Sequence, residues 1–255
     1  MHPTLISFGP ITIYSYGLLL AIGSAVAIWR AAVKSGRVGL SPANIVDAGV
    51  IIVLAGLVGG RLTYVALNWS SYSGNWREIP AVWDGGLTFF GGLAAGALAG
   101  VLWARRAKFS VAAFADLLAP SLALGYAISR LGCFLNGCCY GSPTSWPWAV
   151  KFHENGGPFL TPPSHPAQIY SSVLSFIVFL FLVTLEKRNL PAGSLIGSWL
   201  ILSSLERFFV EYFRKGVTAT VVAGGFTQAQ LVCLVLILVG AGIIHIARDR
   251  GLDRG

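Results

Sequence analysis

Charge is scarce in this chain. Of its 255 residues only 11% are Asp, Glu, Lys or Arg, while 55% are hydrophobic. That balance excludes a disordered polypeptide and argues against a soluble domain. Cysteine is scarce too, and four residues do not make a disulfide framework in a chain of this kind. The first ten residues lack a basic start, and no small-residue cleavage site follows the first apolar run, so no cleavable leader is expected. Internal repeats are also missing. The glycine-rich segment near 85–92 has no late counterpart, which counts against the duplicated plan of a transporter.

What is present is helix-length apolar sequence. A spanning helix needs roughly 20 apolar residues, and runs of that kind lie near 12–30, 45–67, 86–104, 111–130, 167–185, 193–213 and 227–247. The expected fold is an all-α polytopic membrane protein, one integral domain over 1–255 with about seven transmembrane helices. Net charge is +8, but the basic residues sit in short clusters between apolar runs, which indicates orientation signals and no nucleic acid partner. Eleven of the eighteen Lys and Arg follow the odd-numbered runs: Arg30, Lys34, Arg37, Arg105, Arg106, Lys108, Lys187, Arg188, Arg248, Arg250 and Arg254. Arg77, Lys151, Arg214 and Lys215 lie on the other side. The positive-inside rule then puts the N-terminus outside and the C-terminus in the cytoplasm. Segments 68–85 and 131–166 then become the two long external segments, facing the periplasm or cell exterior.

Six charges interrupt the apolar runs: Arg61, Asp116, Arg130, Glu206, Arg207 and Glu211. Each costs at least ~2.5–3.5 kcal/mol at mid-bilayer. One reading is mutual pairing, and Arg207 and Glu211 have the four-residue spacing for it. The sharper reading is an arginine-lined cavity for an anion, strongest for Arg130 and Arg207. A lipid phosphate suits such a site, because guanidinium binds phosphate in a bidentate manner. Gly85, Gly86, Gly91 and Gly92 admit two readings. Small residues let helices approach closely, and they also let backbone amides reach a phosphate.

Residues 129–141 concentrate Arg130, Asn136, three cysteines and three glycines at a helix end. Simple packing is the preferred reading for Cys133, Cys138 and Cys139. Other readings are a disulfide from Cys133 to one of the later two, an activated thiol, and a zinc site completed by His153 or His165. The Cys-x4-Cys-Cys spacing is not that of a usual zinc knuckle. Cys233 reads as a core hydrophobe. His165-Pro166-Ala167-Gln168-Ile169-Tyr170 opens the fifth run, where Gln168 and Tyr170 are placed to bond a glycerol, an ester or a neighbour.

Several motifs, in order along the chain, resemble those of the bacterial phosphatidylglycerol–prolipoprotein diacylglyceryl transferases. They begin with Tyr16-Gly17 and Gly59-Gly60-Arg61. Trp83-Asp84-Gly85-Gly86 with Phe89-Phe90-Gly91-Gly92 comes next. Then come Arg130-Leu131-Gly132 followed by Phe134, Asn136-Gly137 and Gly141, the His165–Tyr170 motif, and the helix from Arg207 to Arg214. The resemblance implies transfer of a diacylglyceryl group from phosphatidylglycerol to the lipobox cysteine of a preprolipoprotein. A thioether forms, glycerol phosphate leaves, and no metal or organic cofactor is implied.

In that light Arg130 and Arg207 carry charge stabilisation, Tyr16 orients the headgroup, and Glu211 accepts a proton or holds Arg207. Substrate contacts are expected from Arg61, Gly85, Gly86, Gly91, Gly92, Asn136, Gly141, His165, Gln168, Tyr170 and Arg214. The chain departs from well-known members at Phe90, where they carry a histidine proposed as base. It departs also at Cys133 (often asparagine), Cys138 (often glutamate) and Ser171 (often acidic). The resemblance therefore leaves the base unnamed. Two other functions fit the same sequence: a lipid transferase with another acceptor, and a non-enzymatic lipid-binding or transport protein.

Overall fold

In lipid every backbone polar group must find its partner within the protein, so long apolar runs become helices. The computed structural model follows this rule. It describes residues 4–8, 11–82, 85–153, 159–214, 221–223 and 225–252. Trp83, Asp84, Lys215 and Arg254, used above, lie outside these.

A short antiparallel hairpin comes first, β1 (Thr4–Phe8) with β2 (Ile11–Tyr14). Helices α1 (Ser15–Lys34) and α2 (Pro42–Leu67) follow. Segment 68–85 holds the one-turn helix α3 (Trp69–Tyr72) and a 3-10 turn at Trp76–Glu78. Next come α4 (Phe89–Arg106), α5 (Val111–Asn136), α6 (Ala167–Glu186) and α7 (Ser194–Glu211). A second small hairpin, β3 (Val221–Ala223) with β4 (Phe226–Thr227), leads into α8 (Gln228–Leu252).

Among the described residues, five helical segments are long and apolar enough to cross a membrane: Ser15–Val38, Pro42–Leu67, Val111–Asn136, Ala167–Glu186 and Gln228–Asp249. The expectation of about seven is met more coarsely, as a polytopic helical protein. Helix α4 is rich in glycine and alanine and ends in Arg105 and Arg106. Helix α7 carries three charges in its last six residues. Two boundaries need correction. Residues 12–14, expected in the first span, are strand, because a window of apolar residues does not distinguish a paired strand from a helix. Residues 131–136, expected in a loop, continue α5 as helix.

The chain divides into two compact units, one of residues 1–30 and 115–255 and one of residues 31–114. In the smaller unit α2 packs on α4 through glycine. A Cβ on Gly59 would lie 2.2 Å from the Ala95 Cβ, and one on Gly91 would lie 2.2 Å from Thr63 Oγ1. Only a missing side chain permits that approach, which is how helices associate where no hydrophobic driving force operates.

In the larger unit α7 packs on both α6 and α8. Buried charges tie its helices together. Arg30 Nη2 meets Glu186 Oε2 at 2.5 Å and its Nη1 donates to Ser121 Oγ at 3.3 Å. Asp116 caps the start of α7, accepting from Gly193 N at 2.7 Å and Ile196 N at 2.8 Å. A carboxylate there satisfies orphan amides and complements the helix dipole. Asp116 is thus a structural charge.

Candidate active site

The larger unit gathers Arg130, Arg207 and Arg214. Arg130 lies one turn after Tyr126 on α5, so the two side chains share a face. Its Nη2 donates to the Tyr126 hydroxyl, and its guanidinium sits 4.6 Å from the Tyr126 ring centroid. Its Nη1 lies 4.0 Å from Cys133 Sγ, while its Nε is buried without a hydrogen-bond partner.

Arg207 pairs through Nη1 with Glu211 Oε2, one turn on along α7. The other oxygen of Glu211 accepts from Thr227 Oγ1 at 3.1 Å. Thr227 is itself fixed by a reciprocal cap on α8. Its amide donates to Gln230 Oε1 at 3.0 Å, and Gln230 N donates to Thr227 Oγ1 at 3.2 Å. This is the capping-box arrangement of Thr-x-x-Gln.

Arg214 follows the end of α7, and its Nε is a second buried donor without a partner. Burial lowers its affinity for a proton, and the positive charges of Arg207 and Arg130 add to the effect. Arg214 therefore lies within the field of the other two guanidiniums. Glu206, also buried, senses Arg130 and Arg207. Its Oε2 accepts from Ser175 Oγ at 3.0 Å, and its Oε1 is buried without a partner. Arg130 and Arg214 thus each keep one unfilled donor and Glu206 one unfilled acceptor, groups whose chemistry suits an anion and a proton.

A tight turn brings Arg214 to this place. Gly141 N donates to His165 O at 2.8 Å, Ser142 N donates to Phe213 O at 2.8 Å, and Gly141 bridges with Arg214. A Cβ on Gly141 would lie 2.1 Å from Phe213 O, so glycine is required. Gln168, 1% exposed, donates from Nε2 to Cys138 O at 2.7 Å and so anchors the preceding turn to α6. The His165 ring is packed against Trp146, Phe213 and Tyr170. Trp148 Nε1 donates to the Tyr170 hydroxyl at 2.8 Å, and that hydroxyl is 3.1 Å from His165 Nδ1. Burial depresses the His165 pKa, in keeping with a neutral ring. His165, Gln168 and Tyr170 thus organise the loop around the site.

Tyr16, near the start of α1, lies by Gly132. A Cβ there would be 3.3 Å from Tyr16 Cα. The Tyr16 phenol is within electrostatic reach of Cys133, Cys138, Arg130 and Cys139. Asn136 ends α5, two residues before Cys138. The structure therefore collects Tyr16, Arg130, Asn136, Gly141, Arg207, Glu211 and Arg214 in the larger unit, together with the loop residues above.

The remaining expected residues belong to the smaller unit. Arg61 is buried, and its donors are directed to backbone carbonyls. Nε reaches Ile79 O at 2.8 Å, Nη1 reaches Gly85 O at 2.7 Å and Gly86 O at 3.3 Å, and Nη2 reaches Glu78 O at 2.5 Å. Its guanidinium holds the loop before α4 in shape. Gly85 and Gly86 have positive φ, 84° and 68°, as that loop requires. Gly91 and Gly92 face α2. Phe90 is exposed and stacks edge-on to Phe89 at 5.6 Å.

Sequence reasoning did not assign roles to Tyr126, Glu206 or Thr227. The first had a signal in its four-residue spacing from Arg130, and Thr227 had one in Thr-x-x-Gln. Glu206 stood out only as one more charge in an apolar run.

Comparison with known proteins agrees with the motif order. A model of the family described as prolipoprotein diacylglyceryl transferase matches residues 3–246. The chain is 36% identical to the phosphatidylglycerol–prolipoprotein diacylglyceryl transferase of Geobacter sulfurreducens, over 94% of this chain and 93% of that protein. It is 34% identical to the protein of the same name in Geobacillus kaustophilus, with 95% and 91% covered. For that of Clostridium tetani the identity is 30%, with 98% and 99% covered.

Proposed function

Because the chain belongs to the prolipoprotein diacylglyceryl transferase family, we propose that it performs that transfer with the residues of the arginine cluster. The enzyme moves the diacylglyceryl group of phosphatidylglycerol to the cysteine thiol of a prolipoprotein. The carbon–oxygen bond to phosphate breaks, a carbon–sulfur bond forms, and glycerol phosphate leaves with the electron pair. The thiol proton must go to a base. The nucleophilic sulfur belongs to the acceptor, so the enzyme supplies charge stabilisation and proton transfer.

The unpartnered buried Nε donors of Arg130 and Arg214 carry this reading. They bind the phosphate diester, with Arg207 adding charge. As the ester bond breaks, negative charge builds on the leaving phosphate, and fixed cations aimed at it lower the barrier. Tyr126 and Glu211 hold Arg130 and Arg207 in place, so little reorganisation accompanies the step. Glu206, with one oxygen unpartnered, serves as the proton acceptor in place of a histidine at position 90. Tyr16 and Asn136 orient the glycerol headgroup. Arg61 acts through the loop it holds.

Seven helices span the bacterial inner membrane in this reading, with the N-terminus outside and the site toward the periplasm. Both substrates, phosphatidylglycerol and a signal peptide bearing a lipobox cysteine, arrive from the bilayer. The deciding experiment is mass spectrometry of a lipobox peptide incubated with the purified protein and phosphatidylglycerol. A diacylglyceryl mass increase on the cysteine is expected, with release of glycerol phosphate. Release of glycerol phosphate without peptide modification would instead identify another acceptor, and no turnover at all would overturn the reading.

A further inference from the structure

The three cysteines of the 133–139 turn are left over from the mechanism above. Their Sγ atoms all lie within 4.8 Å of one another, and all are free thiols. Two of them meet because of how α5 ends. Gly137 N donates to Phe134 O at 3.1 Å and Cys138 N donates to Cys133 O at 3.2 Å. With Gly137 at φ 76°, this is a Schellman cap, which places the residue after the glycine against the residue five before it. Those residues are Cys138 and Cys133.

The cap does not explain Cys139. It has φ 64°, a left-handed conformation in a residue other than glycine, which costs on the order of 1–3 kcal/mol. That strain turns a third thiol toward the first two. Glycine in this position would relieve it.

We propose that Cys133, Cys138 and Cys139 bind a soft d10 metal ion, Cu(I), in three-coordinate thiolate geometry. Soft thiolates select such ions. At a metal–sulfur distance of about 2.3 Å, a trigonal S3 site needs sulfurs about 4 Å apart, within the 4.8 Å limit observed. Among the described residues no carboxylate or imidazole joins the group, so a tetrahedral zinc site lacks its fourth protein ligand. Supporting contacts surround the ligands. Gln168 fixes the Cys138 carbonyl at 2.7 Å, and Arg130 Nη1 lies 4.0 Å from Cys133 Sγ, where its charge offsets that of the thiolates. Cys133 is buried and Cys139 is exposed, which gives an ion a path inward.

The test is a titration of the full-length, reduced protein in detergent with Cu(I), in competition with a chromogenic Cu(I) chelator, under anaerobic conditions. One Cu(I) per chain is expected, with X-ray absorption reporting about three sulfur neighbours near 2.3 Å. Cys139→Gly is the decisive variant. It keeps the left-handed backbone, so its thermal stability should equal or exceed that of the parent, while Cu(I) affinity falls at least 100-fold. Cys138→Ser should lose affinity likewise, and Cys233→Ser should not. Absence of stoichiometric Cu(I), affinity unchanged in Cys139→Gly, or a disulfide among these cysteines in the protein as isolated would each overturn the proposal. None of these readouts depends on transferase activity.

Discussion

Thr227 donates to one oxygen of Glu211 at 3.1 Å while the other oxygen pairs with Arg207, so the N-cap residue of one helix sets the arginine of another. The link runs through a cap whose second half is Gln230. It joins local helix chemistry to the position of a cation in the site.

Replacing Thr227 tests that link. Thr227→Val removes the cap and the bond to Glu211 together, and loss of an N-cap costs about 1 kcal/mol. The expected result is a lower thermal midpoint and a transfer rate reduced about tenfold. Thr227→Ser, which keeps the hydroxyl, should restore both. A Thr227→Val protein with parental turnover would separate the cap from the site.

Arg130→Ala and Arg207→Ala should each lower turnover about 100-fold or more, the usual scale for losing a donor aimed at developing charge. Both proteins should still insert and fold. Lysine should rescue Arg130 poorly, because an ammonium cannot both meet the Tyr126 hydroxyl and present a second planar donor. Steady-state kinetics with a lipobox peptide measure this, and near-parental rates in both alanine variants would remove the phosphate clamp.

Glu206→Gln preserves the size of the side chain and its bond from Ser175 but abolishes its basicity. It should lower kcat at least tenfold and leave KM for phosphatidylglycerol unchanged. An equal loss in Glu206→Gln and Glu206→Ala, with little change in stability, would fit a proton acceptor. Full activity in Glu206→Gln would assign the base elsewhere.

The buried His165 gives stability a pH dependence. Its folded pKa lies below the ordinary value near 6.5. The unfolded chain therefore binds a proton first as pH falls. The stabilisation is complete above about pH 6.5 and is lost as pH drops through the folded value. Thermal midpoints measured from pH 7.5 to pH 5 should fall for the parent and fall less for His165→Gln. Identical slopes would show that other groups dominate.

Much of this was legible from one strand of text. The helices from 42–67, 111–136, 167–186, 194–211 and 228–252 lie close to the apolar runs that announce them, since in lipid such a run has few other ways to satisfy its backbone. Arg130, Arg207 and Glu211 stand out because charge in an apolar run is costly. The hairpin at 4–14 did not stand out, because strand pairing depends on a partner that hydropathy does not encode.

The sequence by itself determined the membrane class, the helical segments, the family and the identity of the costly charges. Each follows from local composition or motif order. Only the tertiary structure decided which charges are structural and which have donors to spare. Asp116 is occupied as a cap and Arg61 by a loop, whereas Arg130 and Arg214 keep a buried Nε unfilled. The physical reason is that a hydrogen bond's partner lies at a sequence distance no spacing rule predicts. Gln168 and Cys138, thirty residues apart, meet beside the place where a glycine at 141 lets the chain pass close to His165 and Phe213.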